Sequence, residues 1–148
     1  MKPEIYRVID ANFNRSREGL RVCEDIARFI LNSKSLSKDL KYQRHRISSI
    51  LVSSRILPEK LTESRDSRGD VGGKPDSGVE VPRMQVRDIF FANIERVKES
   101  LRVLEEFSKL VDIESSAGIH KIRFITYDIE KRAMAKFQAV KSQNKAGI

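Results

Sequence analysis

The chain repeats itself, and this limits its fold more than any other feature. Residues 11–30 read ANFNRSREGLRVCEDIARFI and residues 92–111 read ANIERVKESLRVLEEFSKLV. At this offset of 81, eight of the 20 pairs are identical: Ala11/Ala92, Asn12/Asn93, Arg15/Arg96, Glu18/Glu99, Leu20/Leu101, Arg21/Arg102, Val22/Val103 and Glu24/Glu105. A weaker echo follows, in which Leu40-Lys41-x-x-Arg44 resembles Ile119-His120-x-x-Arg123.

Both copies are helical in period. Ile9, Phe13, Ser16, Leu20, Cys23, Ala27 and Ile30 recur at three- and four-residue steps, as do Phe90, Ile94, Val97, Leu101, Leu104, Ser108 and Val111. Such spacing puts one apolar face on each helix. Val22, Ile26 and Phe29, with Val103, Phe107 and Leu110, widen each face enough for more than one neighbour. Residues 36–57 and 117–140 read as the second helix of each half, with Ser115 or Ser116 as a cap for the last. The expected fold is all-α. Two α-hairpins related by a pseudo-twofold, about residues 5–57 and 86–140, form one four-helix domain over 1–148.

Residues 62–83 interrupt the pattern with four of the seven glycines and two of the four prolines. A loop this long in a small domain is functional or a solvated connector. Gly69 to Pro75 invites comparison with a phosphate-binding P-loop. It fails, because the glycine spacing is one residue short and Pro75 stands where a Ser or Thr would hold Mg²⁺. Its glycines could still nest around phosphate oxygens. Arg65, Arg68 and Lys74 could add charge, and Asp66 and Asp70 could ligate Mg²⁺.

On the repeated helices, Asn12 and Asn93 fall within the apolar sector. A buried amide is costly unless bonded, so the two form a polar centre for a ligand or bond within the fold. Arg15 and Arg96 stand at the sector's edge, each three residues before a glutamate, Glu18 and Glu99. They form surface pairs or aim at an anion in the bundle mouth. Arg21, Glu24, Arg102 and Glu105 turn toward solvated faces. Arg44, His45 and Arg46 cluster on the second helix, and Arg123 echoes Arg44. His45 has no orienting carboxylate in sequence reach, and Cys23 reads as a small buried hydrophobe rather than a nucleophile.

Composition narrows the classes. The net charge is +8, but residues 131–148 hold five bases and no acid, leaving the body at +3. A body this mildly basic argues against a nucleic-acid-binding bundle, and the basic tail frays or ends a helix favourably. Apolar runs are too short to span a bilayer. One cysteine and no export-like opening stretch lead to the expectation of a cytoplasmic protein. One cysteine with the distant His45 and His120 argues against a zinc site.

Taken together, these motifs carry a resemblance. Val8-Ile9-Asp10-Ala11-Asn12, then Arg15 and Arg17-Glu18-Gly19-Leu20-Arg21-Val22, resemble the start of a helical domain fused ahead of thiamine-phosphate synthase in some bacteria. Leu40-Lys41-x-x-Arg44-His45-Arg46, Ser64-Arg65-Asp66-Ser67-x-x-Asp70-Val71-Gly72 and Ala92-Asn93-x-x-Arg96 continue the likeness across roughly residues 5–132. The likeness departs at Gly73-Lys74-Pro75.

That family is understood as a hydroxymethylpyrimidine-phosphate kinase. The resemblance implies an ATP- and Mg²⁺-dependent phosphotransferase, acting on a small phosphorylated pyrimidine in thiamine biosynthesis. It implies Asp66 and Asp70 as catalytic and Mg²⁺-binding residues. Asn12, Arg15, Arg44, Arg65, Gly72, Asn93, Arg96 and Arg123 would bind substrate and phosphate. The synthase itself is a barrel needing roughly 200 residues or more, which this chain cannot supply. The alternatives are a non-catalytic dimerisation or accessory module of the synthase and a basic nucleic-acid-binding bundle. A homodimer is compatible with either apolar face.

Overall fold

A computed structural model describes residues 2–54, 56, 58–72 and 82–146, with side chains through 142. Among the described residues the fold is all-α, without strands. Its helices are α1 (Pro3–Phe29), α2 (Lys34–Ser53), α3 (Pro58–Glu63), α4 (Val86–Ser108) and α5 (Ile113–Ala146).

The helix ends follow from local chemistry. Pro3 opens α1, where its missing N–H would have had no partner, and Glu4 and Arg28 complement the helix dipole. Asn32, with φ 46°, makes the left-handed step into α2. Asn tolerates that step better than other side-chain-bearing residues. At the start of α4, the Gln85 N–H donates to Asp88 Oδ2 at 3.1 Å. Asp112, rather than Ser115 or Ser116, caps α5: its carboxylate accepts from the Glu114 N–H at 3.1 Å and the Ser115 hydroxyl at 2.6 Å. An ionised carboxylate accepts more strongly than a hydroxyl there. Both serines lie instead inside the first turn, buried.

α1 and α4 form the central antiparallel pair. The Cys23 thiol donates to the Phe90 carbonyl at 3.5 Å. Four residues earlier, Gly19 meets Val97 and the Asn93 carbonyl. A Cβ on Gly19 would lie 2.7 Å from Val97 Cγ2 and 2.9 Å from Asn93 O, so only glycine lets the two backbones come this close. α2 covers α1, α5 covers α4, and α2 and α5 also touch. An Arg132–Asp39 bond of 2.7 Å joins the last two.

The predicted apolar faces form the core. Ile9, Leu20, Cys23 and Ala27 on α1, with Phe90, Ile94, Val97 and Leu101 on α4, are all fully buried. Phe90, Phe91 and Phe137 pack as an aromatic cluster, with centroids 5.4–5.9 Å apart. The faces stop short of the helix ends. Ile30, expected on the face itself, and Phe29 and Leu110, expected to widen it, are more than half exposed, because they sit at or just past the ends of α1 and α4.

Other boundaries differ from the sequence reading. α2 ends at Ser53, and a separate short helix, α3, follows and packs on α1 through buried Leu61. The basic tail continues α5 as helix to Ala146. Within the predicted loop, Gly73, Lys74 and Pro75 lie outside the described residues.

Candidate functional site

The segment after α3 folds back over the N-terminal half of α1. Arg65 grips Asp10 with two parallel bonds, Nε to Oδ2 at 2.6 Å and NH2 to Oδ1 at 2.8 Å. Asp10 is buried, and Asn14 donates to it from one turn along. This planar two-bond geometry is what guanidinium and carboxylate offer each other. Arg7 donates to the Asp66 carbonyl at 3.4 Å. The result is an open cleft of about 440 Å³, floored by α1 and walled by Arg65, Asp66 and Asp70. It adjoins a second hollow of about 310 Å³ lined by Asn12 and Arg15.

The cleft gathers Arg65, Asp66 and Asp70 from the sequence-predicted set, and the adjoining hollow adds Asn12 and Arg15. Arg15 is exposed, with no hydrogen bond or ion pair among the described residues; the expected pair with Glu18 is not formed. Asp66 Oδ1 accepts from the Gly69 N–H at 2.9 Å, and Asp70 Oδ1 accepts from the Gly72 N–H at 3.0 Å. Both carboxylates therefore shape turns. Among the described residues, a Cβ on Gly72 would meet only Asp70 Oδ1, at 3.6 Å, an ordinary contact. No three His, Cys, Asp or Glu side chains gather as a metal group among the described residues.

Asn93, Arg96, Arg44 and Arg123 lie elsewhere. Asn12 and Asn93 behave alike without touching: each amide donates at 2.8 Å to the carbonyl one turn back, that of Val8 or Ile89. Asn12 is buried and Asn93 half-buried. Arg96 is exposed, and its expected pair with Glu99 is not formed.

Arg44 and Arg123 are held inside the fold. Arg44 Nε donates to Glu24 at 2.9 Å, and Arg123 Nε donates to Glu105 at 2.8 Å. Glu24 and Glu105 were expected on solvated faces, yet they are only 4% and 6% exposed. The second helix of each hairpin closes over them and supplies the arginine. Arg21 and Arg102 do face solvent, each paired along its own helix.

The second of these clusters holds a residue that sequence reasoning passed over. His120 Nδ1 lies 2.9 Å from Glu105 Oε1, with half its side chain exposed. Burial alone would raise the Glu105 pKa. The hydrogen bonds from His120 and Arg123 outweigh it and hold the carboxyl below its usual value. The only sequence sign was the shared position of Lys41 and His120 in the two echoes. Cys23 is inert, since burial, reinforced by Glu130, pushes its thiol up to about 12.

With this geometry in hand, the comparisons with known proteins identify the family. The model of the ThiD2 family matches residues 7–132, and the chain belongs to that family. A thiamine-phosphate synthase from Nostoc sp. strain PCC 7120 is 36% identical over 130 residues, covering 88% of this chain and 35% of the relative. One from Rhodopirellula baltica is 40% identical over 123 residues, covering 83% of this chain and 32% of the relative. One from Synechocystis sp. strain PCC 6803 is 37% identical over 126 residues, covering 85% and 35%. The chain thus spans about a third of the length of these curated relatives. No solved structure matches.

These relatives correct the kinase reading. They are named for thiamine-phosphate synthase, a different transferase, and a pyrimidine-phosphate kinase finds no support among them. The names of these relatives thus run against both an ATP-dependent phosphotransferase and a kinase family. No described helix is long and apolar enough to cross a membrane.

Proposed function

We propose that the chain is a non-catalytic helical accessory module of thiamine-phosphate synthase and so serves thiamine biosynthesis. One observation carries this reading. The likeness covers at least 83% of this chain yet only about a third of each synthase. A helical unit that accompanies a longer enzyme acts through it, by steadying or positioning it. The wiring of this unit suits that role, since Arg44 and Arg123 are held by carboxylates within the fold. Deleting the gene in its own organism tests the reading. The mutant is expected to need added thiamine for normal growth. Unimpaired growth without thiamine would sink the proposal.

The cleft on α1 is proposed as the module's ligand site, for a small phosphorylated molecule. Arg15 has no hydrogen-bond or ion-pair partner among the described residues and stands beside Asn12, and such a guanidinium suits a phosphate. Inorganic pyrophosphate is the simplest probe. Arg15→Ala is expected to weaken its binding in calorimetry by about tenfold, with the helical signal unchanged. Equal binding by both proteins would remove Arg15 from the site.

A further inference from the structure

A row of rings runs along the outer face of α5. His120, Phe124 and Tyr127 follow one another at helical spacing, with centroids 4.6 Å and 5.8 Å apart. Phe124 is 55% exposed and Tyr127 42%. Each ring is held from below. The Arg123 guanidinium lies 5.1 Å from the Phe124 centroid and donates to the Tyr127 hydroxyl at 3.2 Å. The Lys98 ammonium lies 5.3 Å from the Tyr127 centroid. Glu105 fixes both His120 and Arg123, and Glu130 fixes Lys98.

Rigid, exposed aromatic side chains backed by arginine are what protein interfaces use as anchors, because little side-chain freedom is lost on docking. The other large exposed apolar groups lack this order. Phe29, with Arg28 over its ring, and Ile30, Val52, Leu110 and Ile113 lie at or near helix ends, Val71 and Met84 lie between helices, and Tyr42 stands on α2 with Arg46 6.0 Å from its centroid.

We infer that this stripe docks the module onto thiamine-phosphate synthase, against an apolar patch rimmed by acidic residues. The inference rests on the accessory reading. The occupant follows from length and charge. About two thirds of each relative lies beyond the matched region, so in those proteins this unit shares its chain with a much larger body. Lys121 and Lys131 flank the stripe on α5, exposed and without ion-pair partners among the described residues. Three nearby acids are engaged, Glu105 by Arg123, Glu130 by Lys98 and Asp128 by Arg132, and Glu99, in the hollow beside Tyr127, is the exception, exposed and without an ion-pair partner among the described residues. Two copies packed stripe to stripe would bring like charges together, which disfavours self-pairing.

Sedimentation velocity of the full chain mixed with the thiamine-phosphate synthase of its own organism tests this. Wild type is expected to form a complex. Phe124→Ser and Tyr127→Ser should each weaken it by about tenfold or more, and Lys121→Glu should weaken it further at low salt. Tyr42→Ser should not change it. Circular dichroism reports whether each variant keeps its helices. Equal affinity for Phe124→Ser and wild type overturns the stripe and leaves the accessory reading standing. No complex with wild type overturns both. A wild-type homodimer that Phe124→Ser splits overturns the synthase as occupant.

Discussion

Gly19→Val is expected to cost about 3 kcal/mol, by forcing apart the central helices. At Gly19 even a Cβ would lie 2.9 Å from a backbone oxygen, which cannot rotate away as a side chain can. Valine adds two methyl groups beyond that. Its better helix propensity returns only a few tenths of a kcal/mol, so crowding decides the sign. In a domain of this size the loss corresponds to a fall in Tm of about 6–12 °C. Gly19→Ala should fall in the same direction by less. Thermal melts of the two variants check the order, and an unchanged Tm for Gly19→Val would contradict the α1–α4 crossing.

Removing Glu105 should be of similar size. Glu105→Ala leaves Arg123, only 14% exposed, without its carboxylate and frees His120. Breaking a buried pair from one side costs about 3 kcal/mol, because the remaining charge is still desolvated. The effect should depend on pH in a defined direction. Hydrogen bonds hold the folded Glu105 carboxyl below its ordinary value of 4.5. Its contribution is therefore fully present above about that pH and is lost as pH falls through the lower, folded value. Urea melts at pH 7 should separate wild type and Glu105→Ala widely, and the gap should narrow as the pH is taken progressively below 4.5. A gap that widens in acid would contradict the assignment.

Much of the fold is legible in the repeat. Eight identities at one offset, with apolar residues at three- and four-residue steps, were enough to read an all-α bundle and most of its core. Glu24 and Glu105 were misjudged for a definite reason. A single helix's stripe says which residues face the first neighbour, while burial at the stripe's edge depends on a second helix. The signal was present in parts. Both glutamates recur in the repeat and both Arg44 and Arg123 recur in the echo, so opposite charges matched in two copies pointed to two equivalent pairs.

The cleft was only half legible. Arg65, Asp66 and Asp70 stood out as a charged loop, but Asp10, the residue that Arg65 grips, lies 55 positions away. No local pattern announces a partner at that separation. The aromatic stripe was missed for a different reason. Phe124 and Tyr127 fall within the stretch 117–140 read as a helix, and their exposure is set by which side of α5 the bundle leaves uncovered.

In the proposed function, this helical unit works with thiamine-phosphate synthase. Mixing the purified chain with the synthase of its own organism and following sedimentation velocity tests it most directly. A faster boundary containing both proteins in fixed proportion is the expected result. Two independent boundaries, unchanged from each protein alone across concentration and at low salt, would contradict it.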